Sequence, residues 1–213
     1  MKLTTDAVLL GAWATIPDEG RVLDVGTGSG VLALMTAQRS PEAKITAVEI
    51  DPEATETARR NFAASPWADK VEVVQGNIFD LDLGSFDAVV SNPPFYKESL
   101  KSPDSRRALA RHGGSDFDVL SLIELAPRLL TSDGVLSFIA PVERDDEIQW
   151  TAALSRLNII RTADFRQRST RPVSRRLYTL SAENLPAEPR SLLTVGDPLY
   201  QKITAPFYLD KKK

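Results

Sequence analysis

Short apolar runs rich in β-branched residues alternate with amphipathic stretches through most of the chain. The runs are VLDV at 22–25, ITAVEI at 45–50, VEVV at 71–74, FDAVV at 86–90 and VLSFIA at 135–140, and each predicts a buried strand. Residues 29–39 and 52–64 carry helical spacing, the second opened by Asp51 as N-cap and Pro52 at the first helical position. Strand following helix in short succession predicts an α/β fold: a doubly wound, mostly parallel sheet with helices on both faces. Beyond residue 142 the alternation stops. A helix near 143–156 precedes two strands, about 158–165 and 175–183, joined by an Arg-rich, Pro-containing loop, and these predict an antiparallel C-terminal edge. No repeat and no Gly/Ser linker interrupts the chain, so residues 1–213 read as one domain: an N-terminal segment 1–20, a core 21–142 with a long functional loop near 91–115, and a C-terminal part 143–213.

Composition narrows the chemistry. The chain has 213 residues, 42% hydrophobic and 26% charged, enough for one substantial core. No stretch approaches the roughly 18 apolar residues of a membrane span, and Asp6 interrupts any secretory apolar core, so a cytoplasmic, monomeric protein with no membrane partner is expected. The absence of Cys removes disulfides, thiolate nucleophiles and Cys-based zinc, and one His is too few for an imidazole metal centre; no metal is expected. Charge is uneven: residues 1–105 hold nine Lys and Arg against 16 Asp and Glu, whereas residues 106–213 hold 17 against 13. An acidic front and a basic back suit a chain that binds a small molecule with one part and a polyanion with the other.

Asp24-Val25-Gly26-Thr27-Gly28-Ser29-Gly30 follows an apolar strand and opens a helix, which offers a ligand bare backbone N–H groups. A dinucleotide fingerprint needs glycine at position 31, where this chain has Val31, so a diphosphate cradle and nicotinamide-dependent hydride transfer are disfavoured. The next strand ends in Glu49-Ile50-Asp51, placing Glu49 where such folds put a ribose-binding carboxylate. After the third strand, Asn77 can hydrogen-bond an adenine amine and Ile78 can cover its ring, although Asn77 suits a turn equally well.

The fourth strand runs into Ser91-Asn92-Pro93-Pro94-Phe95-Tyr96, which gives up backbone donors and exposes rings at the edge where parallel sheets bind ligands. This motif, after a glycine turn, resembles the S-adenosylmethionine-dependent amino-methyltransferases. Met1-Lys2-Leu3-Thr4-Thr5-Asp6 through Trp13, with Ser65-Pro66-Trp67, Ala110-Arg111 and Ala205-Pro206-Phe207-Tyr208-Leu209, is similar to the tRNA-valine adenine-N6 methyltransferases, which modify the base following the anticodon. The resemblance implies a Rossmann-like class I methyltransferase fold, S-adenosylmethionine as cofactor and the tRNA anticodon stem-loop as partner. It also implies that segment 1–20 closes over the cofactor. Thr5 and Asp6 are then expected near its methionine end, Asp24, Gly26, Gly28 and Gly30 at its amino-acid part, Glu49 at the ribose, and Asn77 and Ile78 at the adenine, with Ile50 and Asn92 also among the cofactor-binding residues. For the transfer it implies that the Asn92 side-chain oxygen and the Pro93 carbonyl accept from the two N–H bonds of a conjugated amine. Pro94 stiffens that turn and Phe95 stacks on the base. The family carries a further basic and aromatic stretch ahead of the Met-Lys pair, which this sequence does not include. The same Asn-Pro-Pro-Phe form also suits guanine-N2 methylation of ribosomal RNA or glutamine-N5 methylation of a protein; a non-catalytic RNA-binding protein on this fold is the reading of a different class.

Six arginines, Arg161, Arg166, Arg168, Arg171, Arg175 and Arg176, fall within 16 residues against one acid, Asp164, a density that suits RNA phosphates, although a solvated edge strand guarded by charge against aggregation accounts equally well for any single one. Tyr96 and a second basic group, Lys97, Lys101, Arg106, Arg107 and Arg111, follow the motif and are expected on the RNA side. His112 reads as a packing residue, since amine methylation requires no imidazole.

Overall fold

A computed structural model describes residues 4–94 and 117–208. Over these residues the chain forms one eight-stranded sheet. Its strands are β1 (Glu19–Val25), β2 (Glu42–Glu49), β3 (Val71–Gln75), β4 (Phe86–Ser91), β5 (Leu130–Pro141), β6 (Asn158–Arg166), β7 (Arg175–Ser181) and β8 (Ser191–Thr194). The helices are α1 (Thr5–Trp13), α2 (Val31–Arg39), α3 (Pro52–Ala63), α4 (Val119–Leu129), α5 (Asp145–Leu154) and α6 (Pro198–Thr204).

The sheet order is β3-β2-β1-β4-β5-β7-β6-β8. The first five strands in that order pair in parallel, β7 runs antiparallel to both β5 and β6, and β8 runs parallel to β6. The two C-terminal strands therefore pair antiparallel as expected, but they do not form the edge. β7 is interior and the four-residue β8 closes the sheet beyond β6.

Two apolar layers flank the sheet. Leu9, Leu10 and Trp13 of α1, Leu32 and Ala33 of α2, Phe62 of α3 and Tyr200 of α6 pack on one face with Val22, Ile45 and Phe165. Leu122, Ile123 and Ala126 of α4 and Ile148 and Ala152 of α5 pack on the other with Leu23, Val89, Phe138 and Tyr178. Helices on both faces hide both sides of β1 and β4, which explains why those strands read as unbroken apolar runs.

Parallel pairing brings the carboxyl ends of β1 to β5 to one edge of the sheet. The order reverses between β1 and β4, and ligands bind at such a reversal. Gly26, Gly28 and Gly30 lie directly after β1 with φ of 72°, 59° and 85°, so the chain turns from strand to helix through three left-handed residues. At Gly30 the restriction is double, because a Cβ would also run into the Phe62 ring. Gly30→Ala is expected to lower the unfolding free energy by about 2–4 kcal/mol in urea titrations, the sum of left-handed strain and overpacking; a loss below about 0.5 kcal/mol would contradict this packing.

Candidate active site

Each wall of the site ends a strand. At β1, Asp24 is 1% exposed and accepts from the Thr27 hydroxyl at 2.5 Å, while the Gly26 and Thr27 N–H groups donate to the Val48 carbonyl at 2.9 and 3.0 Å. Asp24 thus braces the glycine turn from beneath. At β2, Glu49 is 8% exposed and accepts the Gly28 N–H on Oε2 at 2.8 Å and the Asp51 N–H on Oε1 at 3.0 Å. Each oxygen keeps a further lone pair, the capacity needed for two ribose hydroxyls. Glu49, Ser29, Asp51, Glu53, Ala54 and Thr57 line a cleft of about 360 Å³ beside the turn.

At β3, Asn77 is half-buried and its side-chain oxygen accepts the Phe79 N–H at 3.2 Å. It therefore takes the turn role that its residue type also allowed. Ile78, expected to cover an adenine, is instead 4% exposed and packed into the core, because the chain after β3 folds back and tucks the Ile78 side chain under the sheet. Ile50, one residue past Glu49, is 39% exposed.

At β4, the Ser91 hydroxyl donates to the Val25 carbonyl at 2.7 Å and ties the end of β4 to the end of β1. Asn92 follows, half-buried, with its Oδ1 fully enclosed and without a hydrogen-bond partner among the described residues. A buried acceptor left unpaired costs about 1–3 kcal/mol. Such a group, held beside the glycine turn, matches an amine donor supplied by a ligand. Pro93 is buried and Pro94 exposed. Phe95, Tyr96, Arg106, Arg107 and Arg111 lie outside the described residues.

Sequence reasoning missed Thr27, Ser91 and Phe117. The Thr27 hydroxyl holds Asp24 and the Ser91 hydroxyl ties the strand end before Asn92 to Val25; a hydroxyl within three residues of each was the available signal. Phe117 has its ring against Gly26 and edge-on to Phe79 at 6.3 Å between centroids, a contact between residues too distant in sequence to be read from it.

The arginines divide into committed and exposed groups. Arg176 is 6% exposed and holds Asp145 at 2.5 Å and Asp164 at 2.6 Å, so it is a buried cross-link and not an RNA contact. Packing supplied two carboxylates that turned it inward. Arg161 donates to the Trp13 carbonyl at 3.0 Å, sits over the Trp13 ring at 4.3 Å and pairs with Glu188. Arg175 pairs with Asp6 at 3.0 Å, and half-buried Arg166 donates to the Thr194 hydroxyl at 3.1 Å. Arg168 and Arg171 are exposed on the loop after β6, at the same sheet edge as Asn92. Thr5 is exposed at the start of α1. Among the described residues no helix is long and apolar enough to cross a membrane, and no three acidic or His side chains group as a metal site.

Burial pushes the Asp24 carboxyl up to about 7, with the Thr27 and Ala33 hydrogen bonds opposing that rise and the neighbouring Glu49 charge adding to it. The neutral acid is the form the fold prefers. Its contribution to stability is complete below the ordinary value of 3.8 and is lost as pH rises through about 7. Chemical unfolding of parent and Asp24→Asn from pH 4 to 8 is expected to show the variant gaining on the parent by up to about 1.4 kcal/mol per pH unit up to about pH 7. A gap that does not change with pH would contradict the buried acid.

Comparison with known proteins agrees with this geometry. The Methyltransferase small domain family matches residues 5–164. A tRNA1(Val) (adenine(37)-N6)-methyltransferase of Bacteroides thetaiotaomicron is 37% identical over 219 residues, covering 100% of this chain and 92% of the relative. The enzyme of the same name from Aeromonas hydrophila is 38% identical over 216 residues, covering 98% and 91%. Among solved structures, a predicted O-methyltransferase from Agrobacterium tumefaciens superposes with a TM-score of 0.71 at 21% identity, covering 94% of this chain and 96% of that one, which supports the fold alone. With the family model matched over residues 5–164 and relatives of 37% and 38% identity covered over nine-tenths of their own length, the chain belongs to the tRNA1(Val) (adenine(37)-N6)-methyltransferase family.

Proposed function

We propose that the protein methylates the exocyclic N6 of the adenine that follows the anticodon of tRNA-valine, with S-adenosylmethionine as donor. The observation that carries this reading is the enclosed, unpartnered Asn92 Oδ1 at the end of β4. S-adenosylmethionine supplies, when bound, a methyl group made electrophilic by a positively charged sulfur. Left-handed glycines at positions 26, 28 and 30 leave backbone bare at alternate positions of the turn after β1, and Glu49 stands beside it with lone pairs to spare, so these residues fit the amino-acid and ribose parts of that molecule.

The adenine amine is a poor nucleophile because its lone pair is delocalised into the ring. Asn92 Oδ1 accepts one N–H and the Pro93 carbonyl the other, which draws the nitrogen toward tetrahedral geometry and localises the lone pair. The buried Ser91 bond anchors the backbone from which Asn92 projects before substrate arrives, a form of the preorganisation on which electrostatic catalysis depends. The reading favours adenine over guanine or a glutamine amide because the relatives spanning the whole chain are named for adenine-N6 transfer. The base beside an anticodon is already single-stranded, which lowers the cost of bringing it to the pocket.

Asn92→Ala is expected to cut turnover on tRNA-valine by about 100-fold or more while leaving donor affinity within a factor of two, as read by single-turnover kinetics and calorimetry. Turnover near that of the parent removes Asn92 from the mechanism. The double variant Arg168→Ala with Arg171→Ala is expected to weaken RNA binding and to flatten the plot of log affinity against log salt by about 1.4, two single-strand phosphate contacts. A slope equal to that of the parent would remove this loop from the RNA interface.

A further inference from the structure

The loop that presents Arg168 and Arg171 ends at Arg175, and Arg175 is turned back into the protein. The loop closes on itself through the Arg171 N–H to the Arg168 carbonyl and the Ser174 N–H to the Phe165 carbonyl, each at 3.0 Å. Arg175 is in register with Phe165 at the end of β6 and with Pro141 at the end of β5, so it stands at the edge of the sheet that carries the glycine turn and Asn92. Its Nη1 donates to the Ser174 carbonyl at 2.9 Å and its Nε to Asp6 Oδ2 at 3.0 Å. The pair is only 27% and 21% exposed, so solvent screens it less than a surface contact.

Asp6 lies in the first turn of α1, and α1 is locked to the helix that starts at the glycine turn. Gly11 lets the Met35 thioether of α2 approach α1 closely, and the Arg39 guanidinium at the end of α2 donates to the Gly11 and Ala14 carbonyls at 2.7 and 2.8 Å. A continuous line of contacts therefore runs from the arginine loop through Arg175 and Asp6 to α1, then to α2 and its Gly30 start.

We propose that Arg175 is a positioning residue that clamps the arginine loop to the first turn of α1, holds the Asp6 carboxylate at the carboxyl edge of the sheet and binds no phosphate. The proposal rests on the methyltransferase reading. Loss of Arg175 loosens Asp6 and with it the α1–α2 support of the glycine turn, and so it is felt in donor binding although Arg175 borders the arginine loop.

Initial rates over donor and tRNA-valine concentrations, at four salt concentrations, test this on the parent, Arg175→Gln, Arg175→Lys, Asp6→Asn and the double variant Asp6→Asn with Arg175→Gln. Arg175→Gln is expected to raise KM for S-adenosylmethionine about five-fold with kcat within two-fold. The salt slope for tRNA stays that of the parent. Asp6→Asn is expected to do the same, the double variant no more than either, and Arg175→Lys to recover part of the loss. A salt slope reduced by about 0.7 on Arg175→Gln would overturn the proposal by making Arg175 a phosphate ligand. Additive effects of the two single variants, or a fall in melting temperature with KM unmoved, would overturn it as well. A parent that binds no donor overturns the methyltransferase reading itself, whereas a parent that methylates tRNA with no change in any variant overturns only the role of Arg175.

Discussion

The hydrogen bond from the Ser91 hydroxyl to the Val25 carbonyl is the contact on which the arrangement of the site depends. It joins two neighbouring parallel strands at their carboxyl ends, at the place where the strand order reverses. The residue after Val25 begins the glycine turn and the residue after Ser91 is Asn92. One buried bond thus sets the spacing between the backbone that can receive the donor and the oxygen that can receive the amine. Register reinforces it: Asp24 is paired with Val90 and with Ala47, so β1, β2 and β4 cannot slide past one another without turning buried faces outward.

Around that bond the molecule tolerates features that oppose folding. Three successive left-handed glycines, an enclosed carboxyl at Asp24 and an acceptor without a partner at Asn92 each disfavour the folded state. All stand within a few residues of one sheet edge. Stability comes from the rest of the sheet, where Leu23, Val89, Phe86, Leu136 and Phe138 are fully enclosed or nearly so and helices cover both faces. The buried Arg176 cross-link to Asp145 and Asp164 ties the C-terminal strands to α5. Local conflict at the edge and consistency elsewhere is the pattern expected of a site held open for ligands.

Most of the sheet was legible from periodicity because both faces of its central strands are covered, and a continuous apolar run bounded by turn residues marks such a strand. That the glycine turn, Glu49 and Asn92 meet at one sheet edge was legible because each follows an apolar run that marks a parallel strand. α1 was missed because Val8, Leu9, Leu10 and Trp13 are all buried, so its sequence shows no polar stripe. α4 carries Pro127, which reads as a helix breaker but falls in the last turn. β8 is four residues long, too short to show a period. The arginines misled because charge alone does not reveal a partner: Asp6 lies 169 residues from Arg175 in sequence, and only folding brings them together. Ile78 misled for a related reason, since whether an isoleucine just past a strand faces the core depends on how the chain leaves that strand.

Nucleoside mass spectrometry of a tRNA-valine transcript incubated with the protein and S-adenosylmethionine tests the central claim most directly. One methyl group is expected on the exocyclic nitrogen of the adenine after the anticodon, because the Asn92 oxygen can activate only a nitrogen that carries hydrogens. Methylation of a ring nitrogen of that base, or of no base in the anticodon loop, would contradict it.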